Sequence, residues 1–118
     1  MPSGPHIHPA LTALSKRHGA QIKPMAFNGR FLVPVTVREI GGKGTARDIR
    51  ANLISDNTFG TQPPSLELWI NESGHKNGLN FHDVEQFDHN AKKLQMMTRS
   101  RKGGEAREGS ERFWEITG

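Results

Sequence analysis

Six histidines and twelve acidic side chains are the residues of this chain most able to do chemistry, and their spacing decides what they can share. His6 with His8, and His82 or His89 with Asp83 or Asp88, offer the imidazole and carboxylate donors that hold zinc. His82 and His89 are two helical turns apart, so they cannot share an ion as an i, i+4 pair would. His6 and His8 fall in a terminal stretch rich in Pro and Gly. No metal or other cofactor is expected. Two carboxylate pairs, Glu67 with Glu72 and Glu85 with Asp88, have no nucleophile or phosphate cradle beside them, and surface ion pairing is their simpler role. Gly41-Gly42-Lys43-Gly44-Thr45 approaches a phosphate loop, but its lysine is followed by glycine and the leading glycine is missing. A small nuclease with His89 and Asp88 as acid and base is the catalytic alternative to a protein without chemistry of its own.

Basic side chains give a stronger signal through their distribution. The 118 residues carry a formal charge of +4. Residues 1–30 hold Lys16, Arg17, Lys23 and Arg30 with no acid, residues 61–90 are net acidic, and residues 91–118 carry seven basic and four acidic groups. Such segregation favours a basic face that attracts phosphates. The hydrophobic content of 33% allows one small core. The absence of cysteine excludes disulfides and thiolate metal sites and fits a reducing compartment. The first residues lack the charged start and apolar run of a signal peptide, and no apolar segment reaches the ~20 residues that span a bilayer, so a soluble, cytoplasmic protein without membrane contact is expected.

The elements that must position these groups follow from local patterns. Residues 1–9 read as a mobile segment preceding a single domain over 10–118. A short helix from Ala10 carries apolar residues at helical spacing, a proline before it, basic residues in its last turn and Gly19 after it. Over Arg30–Ile40, Val33, Val35 and Val37 alternate as in a strand, while Pro34 marks either an edge strand or the first turn of a helix. Thr45 followed by Asp48 forms a variant capping box, and Ile49 and Leu53 then share a helical face, which predicts a helix over about 45–55. Ser65–Glu72 fits either a short helix or a strand. Val84, Phe87, Ala91 and Leu94, at steps of three, four and three, predict a helix over about 82–96. Residues 97–101 and 111–117 flank a glycine-rich tip and predict a β-hairpin. At least one tryptophan should be buried, with Trp114 most simply core, whereas Phe27, Phe59 and Phe81 have surroundings that suit stacking on bases.

A helix followed by a basic hairpin is one way to hold nucleic acid. On the expected helix, the face opposite the apolar stripe offers Gln86, His89, Asn90, Lys93 and Gln95, and the hairpin adds Arg99, Arg101, Lys102, Arg107 and Arg112. This order of elements resembles a winged-helix domain. More narrowly, Val37-Arg38-Glu39-Ile40-Gly41-Gly42-Lys43-Gly44-Thr45-Ala46-Arg47-Asp48-Ile49-Arg50 resembles the start of winged helices that accompany modification-dependent restriction endonucleases, and Arg112-Phe113-Trp114-Glu115-Ile116-Thr117 resembles their last wing strand. The resemblance covers about residues 31–118.

It implies an α+β fold, a winged helix of three helices and a C-terminal hairpin wing, with an extra N-terminal helix. Residues 82–96 become the recognition helix and 98–117 the wing of a DNA-binding protein, possible employments being transcription regulation and mobile-element biology. Gln86, Asn90 and Lys93 would face bases or phosphates in duplex DNA. Arg99, Arg101, Lys102 and Arg107 would lie on its backbone, and Thr45, Arg47 and Arg50 would add phosphate contacts at a helix amino terminus. A homodimer would suit that fold. The alternative partner is a host protein, bound by a small phage or mobile-element protein through the acidic 61–90 segment that contains Trp69.

Overall fold

The computed structural model describes residues 7–26, 29–42, 47–58, 60, 64–71, 79–88, 92–102, 105–106 and 108–118. Along the chain the elements are α1 (Pro9–His18), β1 (Lys23–Pro24), β2 (Arg30–Ile40), β3 (Ile49–Asp56), β4 (Ser65–Asn71), β5 (Leu79–Asp88), β6 (Gln95–Lys102), β7 (Glu105–Ala106) and β8 (Arg112–Ile116). Strands β2 to β6 pair in sequence as an antiparallel meander. β8 then pairs with β6, from Gln95↔Glu115 to Thr98↔Arg112, and with β2, from Val37↔Ile116 to Ile40↔Phe113. The sheet therefore closes on itself as a six-stranded barrel, with β1 and β7 as short additions.

Alternation decides what fills it. Val33, Val35 and Val37 of β2, Ala51 and Leu53 of β3, Leu66, Leu68 and Ile70 of β4, Met96 of β6, and Trp114 and Ile116 of β8 make up the buried interior. The Trp114 indole is fully buried, and its Nε1 donates to Thr98 Oγ1 at 2.8 Å, so the one polar atom of the largest core residue is satisfied.

α1 seals one end. His8 caps it, its Nδ1 accepting the Ala10 N–H at 3.0 Å, and Gly19 ends it in the left-handed conformation with its N–H on the Ser15 carbonyl. The His8 amide donates to Ser55 Oγ at the end of β3, and Arg17 Nη2 donates to the Lys92 carbonyl in the β5–β6 turn, so the helix is tethered at both ends across the barrel opening. Ala10, Leu11 and Leu14 project from it into the core.

The winged helix is thereby corrected. Among the described residues there is one helix, and the other regular elements are strands. The expected helix over 45–55 is β3 from Ile49 on: Ile49 and Leu53 are four apart, a spacing that also fits one face of a strand, and Ala51 between them is buried too. Thr45, its proposed cap, lies outside the described residues. Within the expected recognition helix over 82–96, residues 82–88 belong to β5 and 95–96 to β6, while 89–91 lie outside the described residues. Its false period has a physical source: the register slips at a bulge between Val84 and Gln86, which returns Val84 and Phe87 to the same inner face three residues apart. Pro34 sits within β2 on the outer face, and 31–40 is strand as its alternation indicates. The C-terminal hairpin survives as β6 paired with β8, now a part of the barrel wall. Residues 1–6, most of the expected mobile segment, lie outside the described residues.

Asp56 fastens the turn after β3. Burial alone would raise its pKa, but hydrogen bonds from the Thr58 hydroxyl and amide and from Arg30 Nε, with the charge of that guanidinium, outweigh burial and hold the carboxyl below its usual range. Its native pKa lies below the unfolded value, so its stabilisation is complete above the unfolded pKa and is lost as pH falls through the native one. Denaturant titrations should show wild type ahead of Asp56→Asn at neutral pH, with the gap shrinking as pH falls below about 4. At the sealed end, Leu14→Ala should cost about 2–5 kcal/mol in urea unfolding, through lost burial and the cavity left under the helix.

Candidate binding surface on the barrel wall

With the interior filled by side chains, the surfaces open to a ligand are the outer wall and the two ends. Residues in phase opposite to the core face outward, and strand register sets them in rows. Pro34 pairs with Asn52, Asn52 with Trp69 and Trp69 with Phe81, which forms one continuous row across β2, β3, β4 and β5. Trp69 meets Phe81 edge to face, centroids 4.8 Å apart and planes at 81°. The indole is oriented by its Nε1, which donates to Glu67 Oε1 at 2.9 Å, and Phe81 is 52% exposed. In the neighbouring row Thr36 pairs with Arg50. Together Pro34, Thr36, Arg50, Asn52, Trp69 and Gly118 line a groove of about 540 Å³. Arg50 is exposed and has no ion pair among the described residues.

Most other arginines on the described wall are engaged. Arg99 contacts Glu85 at 3.0 Å and Glu111 at 3.2 Å, Arg38 meets Asp48 at 3.0 Å, and Arg30 meets Asp56 at 2.9 Å. Arg112 forms a bidentate pair with Glu39 and lies 4.5 Å over the Trp114 ring, at the end of the barrel opposite α1. His82 is buried next to Trp114, with ring centroids 6.3 Å apart. Among the described residues no group of three or more His, Cys, Asp or Glu could hold a metal ion.

The residues expected to form a DNA interface are thus dispersed. Gln86 is on β5 beside the bulge, Lys93 is in the β5–β6 turn with Glu115 at 3.4 Å, and Arg99 is held by two glutamates on β6. Arg101 and Lys102 end β6, Arg47 is exposed between β2 and β3, and Asn90 and Arg107 lie outside the described residues, as do Phe27 and Phe59. Among the described residues, Arg50 is the expected contact that reaches the groove. Asn52 and Trp69 join it there, neither of them expected from the sequence in a nucleic-acid interface. Their signal was phase: in Leu66-Glu67-Leu68-Trp69-Ile70 the tryptophan alternates with the aliphatic residues, on the polar side of the strand.

Compared with family models, curated proteins and solved structures, the chain matches none. No family supports the winged-helix resemblance, and the DNA-binding role inferred from it loses its basis. Among the described residues no helix is long and apolar enough to cross a membrane.

Trp114 is fully buried and Trp69 half-buried, which gives the surface an optical reporter. Acrylamide should quench wild-type emission in part, and Trp69→Phe should remove the accessible fraction and leave the shielded Trp114 signal.

Proposed function

We propose that this protein binds single-stranded nucleic acid on the outside of its barrel, without catalysing a reaction. The observation that carries the proposal is the row of Asn52, Trp69 and Phe81 beside the uncommitted Arg50. Aromatic faces on a sheet accept bases by stacking, worth about 1–3 kcal/mol per base, and a neighbouring arginine supplies the phosphate contact. The amide of Asn52 adds a donor and an acceptor for a base edge. Bases in a duplex are stacked on one another and do not offer their faces, so a single strand is the form this surface suits. We assign the work to the cytoplasm on the absence of cysteine.

A second reading has its own observation. Glu67 and Asp83 are cross-strand partners two residues from Trp69 and Phe81, on the same face, so the acidic segment expected to meet a host protein has acid beside aromatics, as a basic peptide would require. The two readings respond oppositely to one change. Glu67→Gln with Asp83→Asn should strengthen nucleic-acid binding and weaken binding of a basic peptide.

Titration with a short oligouridylate or oligothymidylate at low salt should quench Trp69 emission, with affinity falling as salt rises. Trp69→Ala or Phe81→Ala should weaken binding about 5- to 150-fold, and a blunt duplex should compete poorly. Absence of quenching by either oligonucleotide at low salt would end the nucleic-acid reading.

A further inference from the structure

A second feature of the wall lies where α1 meets the barrel. There the last turn of α1, the β5–β6 turn and the end of β8 enclose a pocket of about 340 Å³, with Arg17, His18, Lys92 and Lys93 on its lining. We infer that this pocket is a site for a phosphate monoester, the terminal phosphate of a bound strand.

Three observations support it. First, the cations come from distant parts of the chain and are brought together by a specific contact, Arg17 Nη2 donating to the Lys92 carbonyl at 2.8 Å. That bond fixes one edge of the guanidinium and leaves its other donors for a ligand. Second, the positive charge exceeds what local structure requires. Arg17 complements the carbonyl end of α1, as a cation in a last helical turn does. Lys92 belongs to no helix and has no ion pair among the described residues, and Glu115, the one carboxylate on the lining, is met by Lys93 at 3.4 Å. Like charges gathered in a concave site repel one another, and a small anion with more than one charge relieves that repulsion. Arginine and lysine together suit phosphate, the first by its forked donors and the second as a point charge.

Third, the pocket adjoins the aromatic groove. Thr117 lines the pocket and Gly118 lines the groove, and both are tied to Thr36 of β2, whose N–H donates to the Gly118 carbonyl and whose carbonyl accepts the Thr117 N–H. A strand stacked on Trp69 would reach the pocket after crossing roughly three strand spacings, about 15 Å of wall. The identity of the ligand as a strand terminus rests on the proposed function, whereas the affinity for phosphate does not.

The test has two arms. Backbone amide NMR of the full chain is titrated with inorganic phosphate, against sodium chloride at matched ionic strength. Saturable shifts at Arg17, His18, Lys92 and Lys93, absent with chloride and lost in Lys92→Ala, are expected, and shifts no larger than those with chloride would overturn the site. In the second arm, oligouridylates bearing a 5′-phosphate, a 3′-phosphate or neither are titrated against Trp69 fluorescence. One phosphorylated end should tighten binding about tenfold, with the gain removed by Lys92→Ala and the unphosphorylated affinity little changed. Equal binding of all three would overturn the terminal-phosphate assignment. Phosphate shifts without oligonucleotide quenching would retain the anion site and reject the strand-binding reading. Quenching with no phosphate shifts would do the reverse.

Discussion

Closing a sheet of six strands imposes the constraint on which every other feature of this protein depends. Once β8 lies between β6 and β2, each central strand has partners on both sides, and the inner face becomes a volume that side chains must fill. Valines on β2, leucines on β4 and the single large indole of Trp114 share that task. A barrel also has two openings. One is sealed by the apolar side of α1, and near the other Arg112 is clamped on Glu39 above Trp114. The first closure is driven by burial of leucine, the second by a charge-assisted pair whose members keep partial contact with water.

Because the interior is committed to packing, the wall outside is where binding can be built, and the distribution of ion pairs divides it. Glutamates and aspartates on or just beside adjacent strands absorb Arg30, Arg38, Arg99 and Arg112. Such exposed or half-exposed pairs add little stability individually, but they cancel the field around them. Of the cations expected in the C-terminal third, Lys93, Arg99 and Arg112 are matched by carboxylates. Among the described residues, Lys92 at the junction of α1 with the β5–β6 turn and Arg50 in the groove are cations outside these pairs.

The sequence revealed those features whose causes are local. α1 was legible because its cap, its apolar face and its terminating glycine lie within about a dozen residues, whereas β2 stayed open between strand and helix because its three alternating valines contend with Pro34. β3 and β5 were misread because spacing alone is ambiguous: four residues is one helical turn and also two strand repeats, and the bulge after Val84 converts strand alternation into an apparent helical step. The resemblance to a winged helix depended on those two misread elements and fell with them. The binding row was hidden for a different reason. Pro34, Asn52, Trp69 and Phe81 become neighbours only through register, which no local pattern specifies, and Arg99 looked available because the glutamates that engage it stand on either side in the folded sheet.

The position of the closing strand also bears on how the molecule comes to exist. During synthesis α1 and β2 to β6 emerge before residues 112–116, and until those residues arrive β2 and β6 remain the two open margins of an incomplete sheet. Unpaired strand margins with apolar faces are the surfaces through which nascent chains associate wrongly. The final step is the meeting of β8 with a strand made some seventy residues earlier, a long-range closure of the kind that slows folding. Closure of this barrel therefore waits on β8, and a chain halted before those residues would keep both margins open.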